Sequence, residues 1–285
     1  MSPARPVSLR AALALAVAAQ LSVNAASGFA VKAFEVAGPA SMVLFRNGLS
    51  ALVLLALVRP RLKGLSRQEW AAAAAYGLSL ATMNSFFYEA INLIPVGPAV
   101  TMEMLGPLAL SVILARRWRA WLWAVAALAG VALVSGFDLG GVNALGTVFI
   151  LAAGASWAGY ILSARWVGRV FVGADGMAIG MAVAALAALP RGLPDLLARP
   201  VGPGTLAWGA LVALLGTLVP YALEMIALRG MSAATFGVMT ALAPASAALF
   251  GWIIAGQSLG WGVVGGMALV TAGTAGAAWD EARGP

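Results

Sequence analysis

Neither cysteine nor histidine occurs in the 285 residues. Disulfides, thiol nucleophiles, imidazole bases, haem ligation by histidine and nearly all zinc sites are therefore excluded. Charge is scarce as well: Asp, Glu, Lys and Arg make up 9% of the chain, against about 25% in an ordinary soluble domain. No Walker motif, dinucleotide loop or metal-ligand cluster is present, so no cofactor is expected. What remains is apolar, 62% of the residues, and the natural surroundings of such a chain are a lipid bilayer. Ten spans of about 20 residues would use about 200 positions, leaving short connections and no room for a soluble domain.

Apolar runs fall at 9–30, 39–58, 70–93, 96–115, 120–135, 144–164, 176–190, 205–228, 233–254 and 260–279. They are too long, and too apolar all round, for alternating barrel strands. The expected fold is an all-α membrane protein of ten transmembrane helices. With a cytoplasmic N-terminus, thirteen of the seventeen basic residues lie on the inner side, among them Arg59, Arg61 and Lys63. Lys32, Arg191 and Arg199 lie outside, and Arg46 falls within a span. This positive-inside bias places both termini in the cytoplasm. It also accounts for the net charge of +7 without a nucleic-acid partner. Arg5 and Arg10 before Leu13–Leu21 have the look of a signal peptide; the first run is nevertheless expected to stay as a helix, because it has a counterpart in the second half.

The two halves echo each other. Gln20, Asn24 and Ser27 return as Ser156, Tyr160 and Ser163, each 136 positions later. Glu89 in FFYEAI returns as Glu224 in YALEMI, 135 later, and Met102, Leu105 and Pro107 return as Met239, Leu242 and Pro244, 137 later. The expected units are residues 1–138 and 139–285. Five spans per unit is an odd number, so the second copy enters the membrane from the opposite side. Inverted repeats around a midplane site are the architecture of secondary transporters.

Ionisable groups inside hydrocarbon are costly and mark candidate functional positions. Arg46 and Glu103 each lie about seven residues into a span that enters from outside, hence roughly 10 Å below the surface of a ~30 Å core. They are expected to face the interior and to be coupled electrostatically, directly or through water. One reading is a structural ion pair. The other has Glu103 neutralising a substrate ammonium or carrying a coupling proton, with Arg46 tuning it or meeting a carboxylate. Glu89 and Glu224 lie near opposite ends of their spans, where a helix-end or gating role is favoured over central binding. Gln20 and Asn24 share a face of the first span, as do Ser156, Tyr160 and Ser163 in the sixth and Asn84 and Tyr88 in the third. Uncharged donors and acceptors on three helices suit a small zwitterion, with Trp157, Met83, Met102 and Met239 as an adaptable lining; interhelical hydrogen bonding is the alternative for each. Pro98, Pro107, Pro220 and Pro244 each remove a backbone donor within or near the start of a helix, freeing carbonyls or making kinks. Gly262 and Gly266 form a small-xxx-small face that suits a dimer seam or packing within the chain, so monomer and homo-oligomer both stay open.

The segments FRNGLSALVLLAL, MNSFFYEAI, EMLGPLAL, SWAGYILS and VPYALEMIALRGMSAATFGVM resemble the drug/metabolite transporter superfamily, and within it the EamA-type amino-acid exporters, most closely those for threonine and homoserine. Aromatic amino-acid exporters are related. The resemblance implies a basket in which helices 1–4 and 6–9 wall a central cavity and 5 and 10 are peripheral. The positions that agree with the family pattern are Arg46, Asn84, Tyr88, Glu103, Trp157, Tyr160 and Glu224, whereas Glu89 has no counterpart in it. Together with the polar faces read above, the expected substrate-binding residues are Gln20, Asn24, Arg46, Asn84, Tyr88, Glu103, Trp157, Tyr160 and Met239, and the expected coupling or gating residues are Glu103, Glu89 and Glu224. Two positions depart from the pattern: Ala243 and Gln257 stand where acidic residues are common, which moves the expected coupling role towards Glu103. The partners implied are a small amino-acid substrate and the lipid bilayer, and the protein is expected to be a transporter rather than an enzyme.

Overall fold

The apolar runs fold as helices. The computed structural model describes residues 7–115, 118–135, 143–227, 230 and 242–282. Their helices are α1 (Leu9–Ala37), α2 (Pro39–Val58), α3 (Arg67–Ile91), α4 (Val96–Glu103), α5 (Leu105–Ala115) and α6 (Trp118–Ser135). They continue with α7 (Ala144–Val170), α8 (Asp175–Leu197), α9 (Pro203–Ala213), α10 (Val219–Ala227), α11 (Ala243–Ala255) and α12 (Trp261–Ala282). No strand occurs among the described residues.

Local chemistry sets the helix ends. The Ser8 hydroxyl accepts from the Ala11 N–H at 3.3 Å, and Asn143 Oδ1 accepts from the Gly146 N–H at 3.1 Å, each satisfying a first-turn donor. Ser66 and Glu69 form a capping box at the start of α3. Hydrogen bonds from the Ser66 N–H first, and from its hydroxyl second, hold the Glu69 carboxyl below its ordinary range. Gly38, with φ +66°, begins α2, and the Asp195 carboxylate sits where a β-carbon would stand. That carboxylate accepts from the Ser41 N–H at 3.0 Å and from its hydroxyl at 2.9 Å, so α8 caps α2.

Among the described residues, five helical stretches are long and apolar enough to cross a membrane: Leu9–Ala37, Pro39–Val58, Ala144–Val170, Asp175–Leu197 and Pro203–Glu224. Shorter apolar helices are Val96–Leu110, Trp121–Val131, Ala243–Ala255 and Trp261–Gly276. Large apolar side chains face outward along them, among them Leu52, Ile113, Trp121 and Leu186, as a lipid-facing surface requires. Among the described residues, two of the apolar runs are broken. Met104 separates α4 from α5, and a π-helical turn, Leu214–Leu218, joins α9 to α10.

In lipid, helices associate through close packing and hydrogen bonds rather than through hydrophobic burial. Small residues provide the close packing. α2 lies against α8, α3 against α7 and α8, α1 against α10 and α11, and α4 against α7 and α11. α6 and α12 pair with each other. A β-carbon on Gly130 of α6 would lie 2.7 Å from the Gly266 carbonyl of α12, so Gly266 is used for packing within the chain. A β-carbon on Gly262 would meet no neighbouring element within 4 Å among the described residues.

Candidate functional site

Arg46 projects inward from α2 and is 7% exposed. Its guanidinium needs acceptors, and a defect in the facing helix supplies them. Pro220 has no N–H, so the Gly216 carbonyl four residues earlier lacks its helical donor; Arg46 Nη2 donates to it at 2.8 Å. In the π turn, the Val219 N–H goes to the Leu214 carbonyl. The Leu215 carbonyl between them accepts from Ser22 Oγ of α1 at 2.8 Å. Arg46 Nε donates to Thr217 Oγ1 at 3.1 Å. Tyr88 of α3, fully buried, closes the group: its hydroxyl is 3.5 Å from Arg46 Nη1, and its ring centroid is 5.6 Å from the guanidinium carbon, within cation–π range. A guanidinium has five N–H donors, and these contacts leave some of them for a further anion.

Glu103 ends α4, buried at 8% exposure. Arg46 is the cation that attracts it, yet no ion pair within 4 Å joins the two among the described residues. The helix breaks immediately after Glu103, because Pro107 provides no N–H for the Glu103 carbonyl. Two glycines hold the break in place: a β-carbon on Gly106 would collide with the Gly154 backbone, and one on Gly154 would lie 2.7 Å from the Glu103 carbonyl. Ahead of Glu103, the first N–H of α4, that of Val96, donates to Gln257 Oε1 at 3.0 Å. Gln257 thus caps the helix that carries Glu103.

Beside Arg46 on α2, Asn47 Oδ1 accepts from Asn84 Nδ2 of α3 at 2.9 Å. Arg46, Tyr88, Asn84 and Glu103 therefore share one buried region. The other expected residues lie elsewhere. Asn24 donates to Ser246 Oγ of α11 at 2.8 Å and to the Gln20 carbonyl at 2.9 Å. Gln20 is half-buried and lines an apolar pocket of about 250 Å³ with Leu21, Leu242 and Leu249. Trp157 is half-buried against the main core, and Met239 lies outside the described residues. Ser27, Ser156 and Ser163 turn back on carbonyls of their own helices.

Tyr160 belongs to a second cluster. Its ring lies 5.2 Å from that of Tyr76, Tyr221 packs against the same cluster, and Glu224 is near enough to act on it electrostatically. All four tyrosines of the chain thus sit in these two groups. Glu89 lies apart from both, 2.8 Å from Arg191 of α8, beside a pocket of about 330 Å³ that also borders Asp195. Asn47, Ser50, Thr217, Tyr76 and Tyr221 were not picked out by sequence reasoning. Asn47 could have been found from its place next to Arg46, and Tyr76 and Tyr221 from the scarcity of tyrosine.

A helical bundle with an apolar outer surface, two interrupted helices and opposite charges buried near the interruptions has the build of a membrane transport protein. The chain belongs to the EamA-like transporter family, whose family model matches residues 144–279. It is 34% identical over 254 residues to the threonine/homoserine exporter RhtA of Escherichia coli (strain K12), covering 87% of this chain and 84% of that protein. The threonine/homoserine exporter RhtA of Salmonella typhimurium (strain LT2) is 34% identical over 248 residues, covering 85% and 82%. A solved crystal structure at 24% identity shares the fold, with a TM-score of 0.64 over 96% of this chain and 98% of that one. Family and relatives point to a multi-pass membrane transporter rather than an enzyme.

Proposed function

We propose that the protein exports small amino acids of the threonine and homoserine kind across the bacterial inner membrane, by alternating access and without ATP. The observation that carries this reading is the burial of Arg46 and Glu103, opposite in sign and unbridged among the described residues. Those are the charges that an amino-acid carboxylate and ammonium require, and Arg46 keeps unused donors while the π turn holds it. The similarity at 34% identity to threonine/homoserine exporters supports the substrate class.

In this reading ten spans cross the membrane with both termini cytoplasmic, as the distribution of basic residues favours. The helix pairing supports two inverted units. Numbering the apolar runs one to ten, 1 packs on 9 as 6 packs on 4, 1 on 8 as 6 on 3, and 2 on 8 as 7 on 3. Exchanging the two halves leaves that pattern unchanged. Glu103 carries the coupling proton when it is not holding the ammonium, and a proton gradient drives export. The Glu89–Arg191 pair and the tyrosine cluster around Glu224 gate opposite mouths of the pathway. Gln20, Asn24, Trp157, Tyr160 and Met239 line it as the bundle opens.

The test is uptake of a panel of labelled amino acids into counter-loaded proteoliposomes. Saturable, trans-stimulated uptake of threonine and homoserine, with phenylalanine excluded, is the expected result. Saturable uptake of phenylalanine alone would move the substrate class to aromatic amino acids, and non-saturating flux would make the protein a channel.

A further inference from the structure

We propose that Asn47 and Ser50 read the side-chain hydroxyl of the transported amino acid. The inference rests on the amino-acid reading above and adds the residues that set its selectivity. Asn47 is 1% exposed and Ser50 is fully buried, yet Asn47 Nδ2 and Ser50 Oγ have no hydrogen-bond partner among the described residues. Both departures are unusual, because the large majority of buried polar side-chain atoms in proteins are paired.

The behaviour of the other hydroxyls sharpens the point. A serine or threonine in a helix can always donate to a carbonyl three or four residues back. Ser27, Thr101, Ser156, Ser163 and Thr274 all do so. Ser50 does not, although the Arg46 carbonyl lies four residues before it. Asn47 is not loose either: Asn84 Nδ2 holds its Oδ1 at 2.9 Å, which fixes the amide plane and directs Nδ2 away from Asn84. A donor and a hydroxyl are thus held ready on one helix with no partner among the described residues.

Their position matches a small hydroxy amino acid. Ser50 lies one helical turn from Arg46, about 6 Å along the axis, and Asn47 lies between them. A substrate whose carboxylate meets the free N–H groups of Arg46 extends its side chain along α2 towards these two groups. A hydroxyl both donates and accepts, so it can accept from Asn47 Nδ2 and donate to Ser50 Oγ. A site built to pair with a hydroxyl discriminates strongly against an analogue that lacks it, because the site's own polar groups are then left unpaired.

Removing the hydroxyl from threonine or from homoserine gives the same compound, 2-aminobutyrate, which makes a single control for both. Counterflow by the full-length protein in proteoliposomes should favour threonine and homoserine over 2-aminobutyrate by at least about tenfold. In Ser50→Ala that ratio should fall to about threefold or less. Asn47→Asp, which keeps the acceptor for Asn84 but removes the donor, should lower it too and serves if the first variant fails to fold. Equal transport of threonine and 2-aminobutyrate by the unmodified protein would overturn the proposal alone and leave amino-acid export standing. An unchanged ratio in a folded Ser50→Ala would do the same, since it would make the unpaired hydroxyl merely structural. Transport of none of the three would overturn both the proposal and the reading beneath it.

Discussion

Thr217→Val is a narrow perturbation of the arrangement around Arg46. The two side chains have nearly the same shape, so the change removes one acceptor and leaves the packing alone. Thr217 is 3% exposed and its Oγ1 receives the Arg46 Nε–H at 3.1 Å. A hydrogen bond to a charged group contributes about 1.5–3 kcal/mol, and losing it from a buried donor exacts that full amount. The variant should therefore lose about 1.5–3 kcal/mol of stability, measured by denaturation in detergent. If the guanidinium also swings out of register, substrate affinity should fall by about 10- to 150-fold, because 1.4 kcal/mol is a factor of ten. Thr217→Ser keeps the hydroxyl and should restore most of both. A Thr217→Val protein with stability within about 0.5 kcal/mol of the parent and unchanged affinity would refute the claim that the π turn positions Arg46.

Three further outcomes follow from the packing and the caps. Gly106→Ala places a β-carbon into the Gly154 backbone, where no flexible side chain can give way; thermal unfolding should show a loss at or above the ~1–3 kcal/mol typical of overpacking. Gln257→Leu leaves the Val96 N–H without its acceptor and should cost about 1 kcal/mol as a lost cap, whereas Gln257→Glu keeps an acceptor at a helix N-terminus and should be neutral or stabilising by about 0.3–1 kcal/mol. The Glu69 carboxyl is held below its ordinary range, so its contribution is present above the unfolded pKa and disappears as pH falls through the folded one. Hydrogen exchange at the start of α3 should accelerate only at acid pH, and Glu69→Gln should abolish that dependence.

Much of this fold was legible from hydropathy, because an uninterrupted apolar run in lipid has to satisfy its own backbone and so becomes a helix. The interruptions were legible only as prolines. Pro107 and Pro220 announced freed carbonyls, but not that Gly216 would receive an arginine from a helix 170 residues away in the chain. Arg46 and Glu103 stood out because charge in an apolar span is costly wherever it lies. Thr217 and Ser50 did not, since a lone hydroxyl in a helix most often turns back on its own backbone. Only the packed structure separates Ser50, which does not, from Ser156, which does. Tyr160 was read from its helix face together with the polar faces that carry Asn24, Asn84 and Tyr88, and the structure sets it beside Tyr76 and Tyr221. Periodicity gives the face of a helix but not which neighbour that face meets.

The central claim is that Glu103 does chemistry in transport rather than locking two helices together. The most direct measurement is counterflow of labelled threonine by Glu103→Gln in proteoliposomes, with and without an imposed pH gradient, after unfolding in detergent has shown the variant to be folded. Loss of at least about tenfold in rate, with no remaining response to the gradient, is the expected result, since a neutral amide neither holds an ammonium nor carries a proton. Full, gradient-sensitive transport by a folded Glu103→Gln would contradict it.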